Sequence, residues 1–291
     1  MATKASKLAN YTLMTVHAHP DDESSKGPGT VAKYHDQGVK TVLICATGGE
    51  EGDILNHEMD TEYVRNHLGE VRLQELEAAT KIIGYDEVVM LGYRDSGMAG
   101  AETNSNPDCF AMADKTEAVG KLVYEIRRTK PQVIVTYDED QSGYPHPDHL
   151  QVHDISVVAF DMAGDKDKFP HLGEPFQPLK LYYSVWSKAR IVQMHEKFIE
   201  LGLESPFDER WFDRPSRDEF ITTKINVSDY YEIRAGALRA HRTQIEEKSK
   251  FWFGIPEEEA KKIYPFDDYV LAKSLVGFPQ ELESDLFEGI R

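Results

Sequence analysis

Two short stretches carry side chains of the kinds that bind metal ions and move protons. The first, His17-Ala18-His19-Pro20-Asp21-Asp22-Glu23, follows the apolar run Tyr11 to Val16; the second is His146-Pro147-Asp148-His149. Pro20 cannot donate to a β-ladder and biases His19 to extended geometry, so a strand entering the first stretch ends there. Its imidazole and carboxylates are left at the strand's carboxyl edge. His19 and Asp22, three residues apart across a tight turn, can converge on one cation while Asp21 projects elsewhere, which separates a ligand from a base. With His149 the set becomes two nitrogens and one carboxylate, with a position open for water, as in catalytic zinc sites. Taken singly, two histidines at a turn also read as hydrogen-bonded loop residues, and an acidic triple as a solvated face. The metal reading rests on both stretches lying in loops at the same sheet edge.

The elements that must position them follow from the apolar pattern. After the strand ending at Val16 come a helix from about Gly29 to Gln37 ended by Gly38, a strand Thr41 to Thr47, a helix Glu62 to Ile83 stopped at Gly84, and a strand Asp86 to Leu91. A helix Ala118 to Thr129 and a strand Val133 to Tyr137 complete a succession of βαβ units, which predicts four parallel strands. Each ends in polar, glycine-rich or acidic residues. Ligands of open α/β sheets bind outside the carboxyl ends of the strands, so these loops are expected to share a crevice. Beyond them the sequence predicts a helix from about Leu150 to Met162, a strand Lys180 to Trp186, a helix Ala189 to Leu201, an irregular acidic stretch, and a last strand Phe220 to Val227. Ser228 is the expected N-cap of a helix running through Gln244. The expected fold is α/β and Rossmann-like, a mostly parallel sheet flanked by helices. Residues 1–250 form the catalytic domain, with a C-terminal extension, residues 251–291, packed on it.

Among 291 residues, 51 Asp and Glu outweigh 33 Lys and Arg, for a formal net charge of -18. Such a chain repels phosphate backbones and anionic membrane surfaces, so neither nucleic acid nor membrane is an expected partner. No apolar window reaches bilayer-spanning length. Cys45 and Cys109 form no Cys-x-x-Cys pair and no disulfide framework, and a cytoplasmic location is expected. Self-association is left open.

With Thr47-Gly48-Gly49-Glu50-Glu51-Gly52 and Arg94-Asp95-Ser96-Gly97 between them, the two stretches resemble the motifs of the LmbE/PIG-L family of zinc-dependent N-deacetylases. His17 to Gly27, Gly143 to His149, and Ala237 to Ile245 followed by Phe251-Trp252-Phe253 are similar to the family's amidase branch, which acts on S-conjugates of mycothiol. The resemblance implies His19, Asp22 and His149 as ligands of one zinc ion, with ferrous iron the alternative, and Asp21 as general base. It implies His146 as the group that stabilises the oxyanion or protonates the leaving group, and Tyr144 as a residue polarising the carbonyl. Arg72 and Asp95 match positions that hold sugar and inositol hydroxyls, Glu51 or Glu50 reaches the same hydroxyls, and Lys26 steers the choice of acyl group. The implied substrate is a small-molecule glycosyl-inositol thiol conjugate, cleaved to glucosaminyl-inositol and an N-acetylcysteine S-conjugate in thiol-based detoxification. Deacetylation of N-acetylglucosaminyl-inositol is the alternative. Asp140, Gln141 and Ser142 lengthen the loop before Gly143 relative to that branch, which bears on the acyl pocket.

Other readings stay beside these. Tyr144 also reads as a packed loop aromatic, Arg72 as part of a solvated helix face, and Gly48-Gly49 as a turn. A nucleotide-binding Rossmann protein is disfavoured because no Gly-x-Gly-x-x-Gly follows the first strand, and a serine hydrolase because no Gly-x-Ser-x-Gly is present. Asp21 and His146 weigh against a binding module without catalysis.

Overall fold

A computed structural model describes residues 8–140 and 144–290. Gln141, Ser142 and Gly143 lie outside the described residues. The chain runs through β1 (Thr12–His17), the one-turn helix α1 (Asp22–Ser25), α2 (Pro28–Asp36), β2 (Lys40–Thr47), α3 (Glu62–Asn66), α4 (Leu68–Ile83) and β3 (Glu87–Tyr93). It continues through α5 (Lys115–Thr129), β4 (Val133–Thr136), α6 (Pro147–Met162), β5 (Lys180–Val185), α7 (Lys188–Glu200), α8 (Glu209–Phe212) and β6 (Thr223–Asn226). α9 (Tyr231–Ala240), α10 (Lys250–Phe253), α11 (Glu257–Ile263) and β7 (Phe266–Ser274) complete it.

The strands form one seven-stranded sheet in the order β3-β2-β1-β4-β5-β7-β6. β1 to β5 are mutually parallel, and β7 is antiparallel to both its neighbours. β1 and β4 are buried along their whole length, as continuous apolar runs covered on both faces should be. Alternate side chains serve the two faces. Met14 and Val16 pack with Leu122, Ile126, Val152 and Ile155 of α5 and α6. Leu13, Val133 and Val135 pack with Val31, Ala79 and Ala237 of α2, α4 and α9.

Three departures from the sequence pattern have local causes. The single helix expected over 62–83 is two, because His67 leaves helical geometry at φ -130° and its Nδ1 bonds the Tyr63 carbonyl at 2.9 Å. Ser228 opens a single 3-10 turn and does not cap α9, which ends at Ala240 and not at Gln244. The segment after residue 250 contributes to the sheet itself: β7 pairs with β5 and β6, so β6 is the edge strand opposite β3. Its aromatic and acidic residues hide the alternation because Asp267 and Asp268 are buried and partnered, Asp267 by the Thr30 hydroxyl at 3.0 Å and Asp268 by Tyr264 at 2.9 Å.

Candidate active site

β1 ends at His17, and the chain turns through Pro20 into α1, so His19, Asp21 and Asp22 leave the sheet together at its carboxyl edge. Asp21 holds φ 115°, a left-handed backbone unusual for a residue with a Cβ. Across the sheet edge, α6 begins three residues earlier than the apolar pattern indicates. Pro147 takes its first position, where a missing N–H costs nothing, and His146 is the N-cap, its Nδ1 accepting the Asp148 N–H at 3.2 Å. Asp148 and His149 therefore stand on the first turn of a helix and not in the expected loop.

One carboxylate oxygen gathers the first cluster. Asp22 Oδ2 lies 3.5 Å from His19 Nδ1 and 3.4 Å from His149 Nε2. One donor atom from each of the three residues lies within 4.8 Å of the others. Tyr137 fixes two of them: its hydroxyl donates to Asp22 Oδ2 at 2.6 Å, and its ring stacks on His149 with centroids 4.3 Å apart. Lys26 Nζ sits 2.5 Å from the other Asp22 oxygen. Burial works against the Asp22 charge, yet Lys26 and the two imidazoles outweigh it and hold the carboxyl well below its ordinary range. Burial presses His149 down to about 3, so its ring is neutral.

The far side of His19 meets a second carboxylate. Its Nε2 is 3.2 Å from Asp148 Oδ2 and 3.5 Å from Asp95 Oδ1. A carboxylate only accepts, so the proton belongs on Nε2, which turns Nδ1 toward Asp22 and His149. Asp148 is in turn held by the Ser96 N–H at 3.0 Å and by the Ser96 hydroxyl. His19, Asp95, His146 and Asp148 also present donor atoms within 4.8 Å of one another. Of the two overlapping groups, the one with Asp22 has all its members on the cavity wall, whereas Asp148 lies beneath it, fully buried. Two imidazoles, one carboxylate, an open side and a carboxylate steadying one imidazole from behind make a donor set that fits a zinc-like divalent ion.

Asp21 and His146 flank this group. Arg72 Nη2 donates to Asp21 Oδ2 at 2.9 Å and to the Pro20 carbonyl at 2.5 Å, and Nη1 to the Gly49 carbonyl at 2.8 Å. Arg72 is thus buried, no part of a solvated face, and its charge is turned on Asp21. Gly49 holds φ 70°, and a Cβ there would run into that guanidinium. Burial raises the Asp21 pKa and Arg72 partly offsets the rise. Because His146 Nδ1 accepts a backbone N–H, the neutral ring carries its proton on Nε2, which faces Asp95 Oδ1 at 4.0 Å. Burial above all lowers the His146 pKa, favouring that neutral form.

The remaining expected residues spread around the cavity. Asp95 accepts the Gly97 N–H at 2.9 Å and Glu51 pairs with Arg94. Glu50 turns away to accept the Asp95 N–H at 3.0 Å. Tyr144 stands at the mouth, 53% exposed, its ring 5.4 Å from that of His149. All four of Asp95, Glu51, Tyr144 and Lys26 line one cavity of about 690 Å³ with the metal-capable group in its floor. Sequence reasoning passed over Asp148, Tyr137 and the pair Glu23 and His241, whose Oε1 and Nε2 lie 2.6 Å apart in full burial. For Asp148 the available signal was its place between two histidines; for Glu23 and His241, 218 positions apart, there was none.

The family model for GlcNAc-PI de-N-acetylase (PIG-L) matches residues 14–160. A mycothiol S-conjugate amidase of Streptomyces coelicolor is 44% identical over 288 residues, covering 96% of this chain and 97% of that one. A 1D-myo-inositol 2-acetamido-2-deoxy-alpha-D-glucopyranoside deacetylase of Streptomyces avermitilis is 37% identical over 297 residues, covering 97% of this chain and 98% of the other. Among solved structures, the N,N'-diacetylchitobiose deacetylase from Pyrococcus horikoshii superposes with a TM-score of 0.62 at 14% identity, covering 89% of this chain and 83% of that one. That likeness is one of fold.

Proposed function

Since the chain belongs to the GlcNAc-PI de-N-acetylase (PIG-L) family and is a hydrolase of C–N amide bonds, we propose that it cleaves mycothiol S-conjugates, releasing glucosaminyl-inositol and an N-acetylcysteine S-conjugate. The observation that carries this reading is the grouping of His19, Asp22 and His149 with Asp21 and His146 in the floor of a cavity of about 690 Å³. That volume suits a whole glycosyl-inositol conjugate.

His19, Asp22 and His149 would hold the ion, taken as zinc. When bound it supplies Lewis acidity toward the amide carbonyl and toward an attacking water. Asp21, held by Arg72, takes the proton of that water as its oxygen adds to the carbonyl carbon. The His146 Nε2–H donates to the oxyanion, and Tyr144 reaches the same oxygen from the cavity mouth. As the C–N bond breaks, Asp21 returns the proton to the amine. Asp95 and Glu51 accept hydrogen bonds from polyol hydroxyls, and Lys26 borders the acyl side.

The test is amine release from a mycothiol S-conjugate and from N-acetylglucosaminyl-inositol, with metal-loaded protein and Asp21→Ala as the blank. Faster release from the conjugate, abolished in the variant, is the expected result. Preference for the acetyl substrate would move the protein to deacetylation, and no release from either would sink the substrate assignment. No helix of the described residues is long and apolar enough to cross a membrane.

A further inference from the structure

The cavity has two unlike walls. One is polar, with Glu51 joined to Asp95 by its backbone N–H and Gln244 to the Asp53 carbonyl by its amide; the other is aromatic, made of Trp186, Trp211, Phe251 and Trp252. The aromatic wall is an ordered stack. Trp186 and Phe251 lie nearly parallel, 5.8 Å apart with planes at 7°, and Trp252 meets both edge-on at 87°. Trp211 tilts against Phe251 at 5.6 Å. Ile191, Phe198, Phe207 and Ile255 are buried behind it, the four rings are themselves only partly exposed, and the Arg214 guanidinium lies over Trp211, 4.3 Å from its ring centre. The wall is also tied to the metal-capable group: Trp186 Nε1 donates to the carbonyl of Ser25, three residues beyond Asp22, at 3.3 Å. Trp186 and Trp211 continue into a side cleft of about 240 Å³ that Lys26 and Tyr144 share.

From this arrangement we infer, resting on the amidase reading above, that the group carried on sulfur is seated against the aromatic wall. The enzyme accordingly prefers conjugates of planar aromatic or extended apolar electrophiles. An amide placed over the floor must send its amine side one way and its acyl side the other. The polyol needs hydrogen-bond partners at nearly every hydroxyl, and the carboxylates and amide of the first wall offer them. The second wall offers ring faces, which reward apolar area and offset stacking but satisfy few hydroxyls. An acetyl group, or a methyl on sulfur, leaves those faces wet; a benzyl or naphthylmethyl group covers them. The buried side chains behind the rings support the contact, and Arg214 over Trp211 is a neighbour that a bound group would have to displace or share the face with.

The experiment compares kcat/KM for S-benzyl and S-methyl conjugates on the zinc-loaded full chain and on Trp252→Leu and Trp211→Leu. Covering one aromatic ring corresponds to about a tenfold to hundredfold preference for the benzyl conjugate in the unaltered protein. That ratio is expected to fall at least about fivefold in each variant. Quenching of tryptophan fluorescence by S-benzyl-N-acetylcysteine, at lower concentration than by the S-methyl compound, is the expected companion result and needs no turnover. Equal turnover of the two conjugates, or a ratio untouched by both variants, overturns the inference and leaves the amidase reading standing. If the variants slow both conjugates by one common factor, the wall holds the sugar and the inference also falls. No turnover of either conjugate by the unaltered protein overturns the amidase reading and this inference with it.

Discussion

His241 Nε2 lies 2.6 Å from Glu23 Oε1, and the other oxygen of Glu23 accepts the N–H of Asp21 at 2.9 Å. A residue at the end of α9 thereby reaches the strained turn that carries Asp21. His241→Phe would leave Glu23 charged in a dry site, a loss of about 3 to 5 kcal/mol, and loosen Asp21. The expected outcome is a lower melting temperature with a fall in kcat larger than any rise in KM. Burial alone would lower the His241 pKa, but Glu23 first, then Asp21 and Glu75, outweigh it and raise it. Stability from this group is complete below the unfolded value of about 6.5 and is lost as pH rises through the higher folded value. Melting curves taken upward from pH 6 should show the gap between the native protein and His241→Phe narrowing; a constant gap would contradict the pairing.

Asp148 would bear on a bound metal ion through His19. Its Oδ2, 3.2 Å from His19 Nε2, sets which ring nitrogen turns to Asp22. Removing such a partner typically weakens metal binding about 10- to 100-fold. Asp148→Ala should show that loss in a chelator competition followed by the metal's own signal, and chelation should lower the melting temperature of the native protein more than that of the variant. Equal affinity in the two proteins would mean that His19 needs no support from behind.

Much of this arrangement was legible before the structure, and the limits have physical reasons. Apolar runs and Gly84 place the parallel strands and helix ends, because continuous burial and a left-handed helix terminus each restrict residue type. The stretches ending at Asp22 and His149 carry their donor types in the chain itself. What periodicity could not show was the start of α6, where a histidine ring does the capping usually left to Ser, Thr, Asp or Asn. Nor could it show β7, whose buried Asp267 and Asp268 break the apolar alternation while accepting hydrogen bonds from Thr30 and Tyr264. The pairing of Glu23 with His241 depends on how α9 lies against α1, a tertiary fact with no local trace.

Arg127 supplies a separate test of the scaffold. From α5 it donates to the carbonyls of Ala163 at 3.0 Å, Phe169 at 2.7 Å, and Asp165 and Lys168 at 2.8 Å each. One guanidinium thus replaces regular structure in the segment between α6 and β5. Arg127→Met should cost about 3 kcal/mol or more in urea unfolding, since several carbonyls lose their donor at once. Limited proteolysis should then cut first between residues 163 and 176; cleavage elsewhere at unchanged rate would show the segment is held by other contacts.

Arg72 and Asp21 decide between two roles for the same arginine. The resemblance assigns Arg72 to sugar hydroxyls, which predicts that its loss raises KM. The geometry spends Nη1 and Nη2 on the Gly49 and Pro20 carbonyls and on Asp21 Oδ2, at 2.5 to 2.9 Å, which predicts a fall in kcat instead. Lysine keeps the charge but cannot span the fork, so Arg72→Lys isolates the positioning component. If Arg72 positions the base, Arg72→Lys should lower kcat about a hundredfold with little change in KM. Arg72→Met should also lose stability, because Asp21 and two carbonyls are left without their donor. Asp21→Gly removes the proposed base but relieves the backbone held at φ 115°, so it should melt higher than Asp21→Ala, with both expected to be inactive. Steady-state kinetics and melting curves on the four variants separate these outcomes: a raised KM with kcat intact would return Arg72 to the substrate, and Asp21→Ala melting above Asp21→Gly would remove strain from the account.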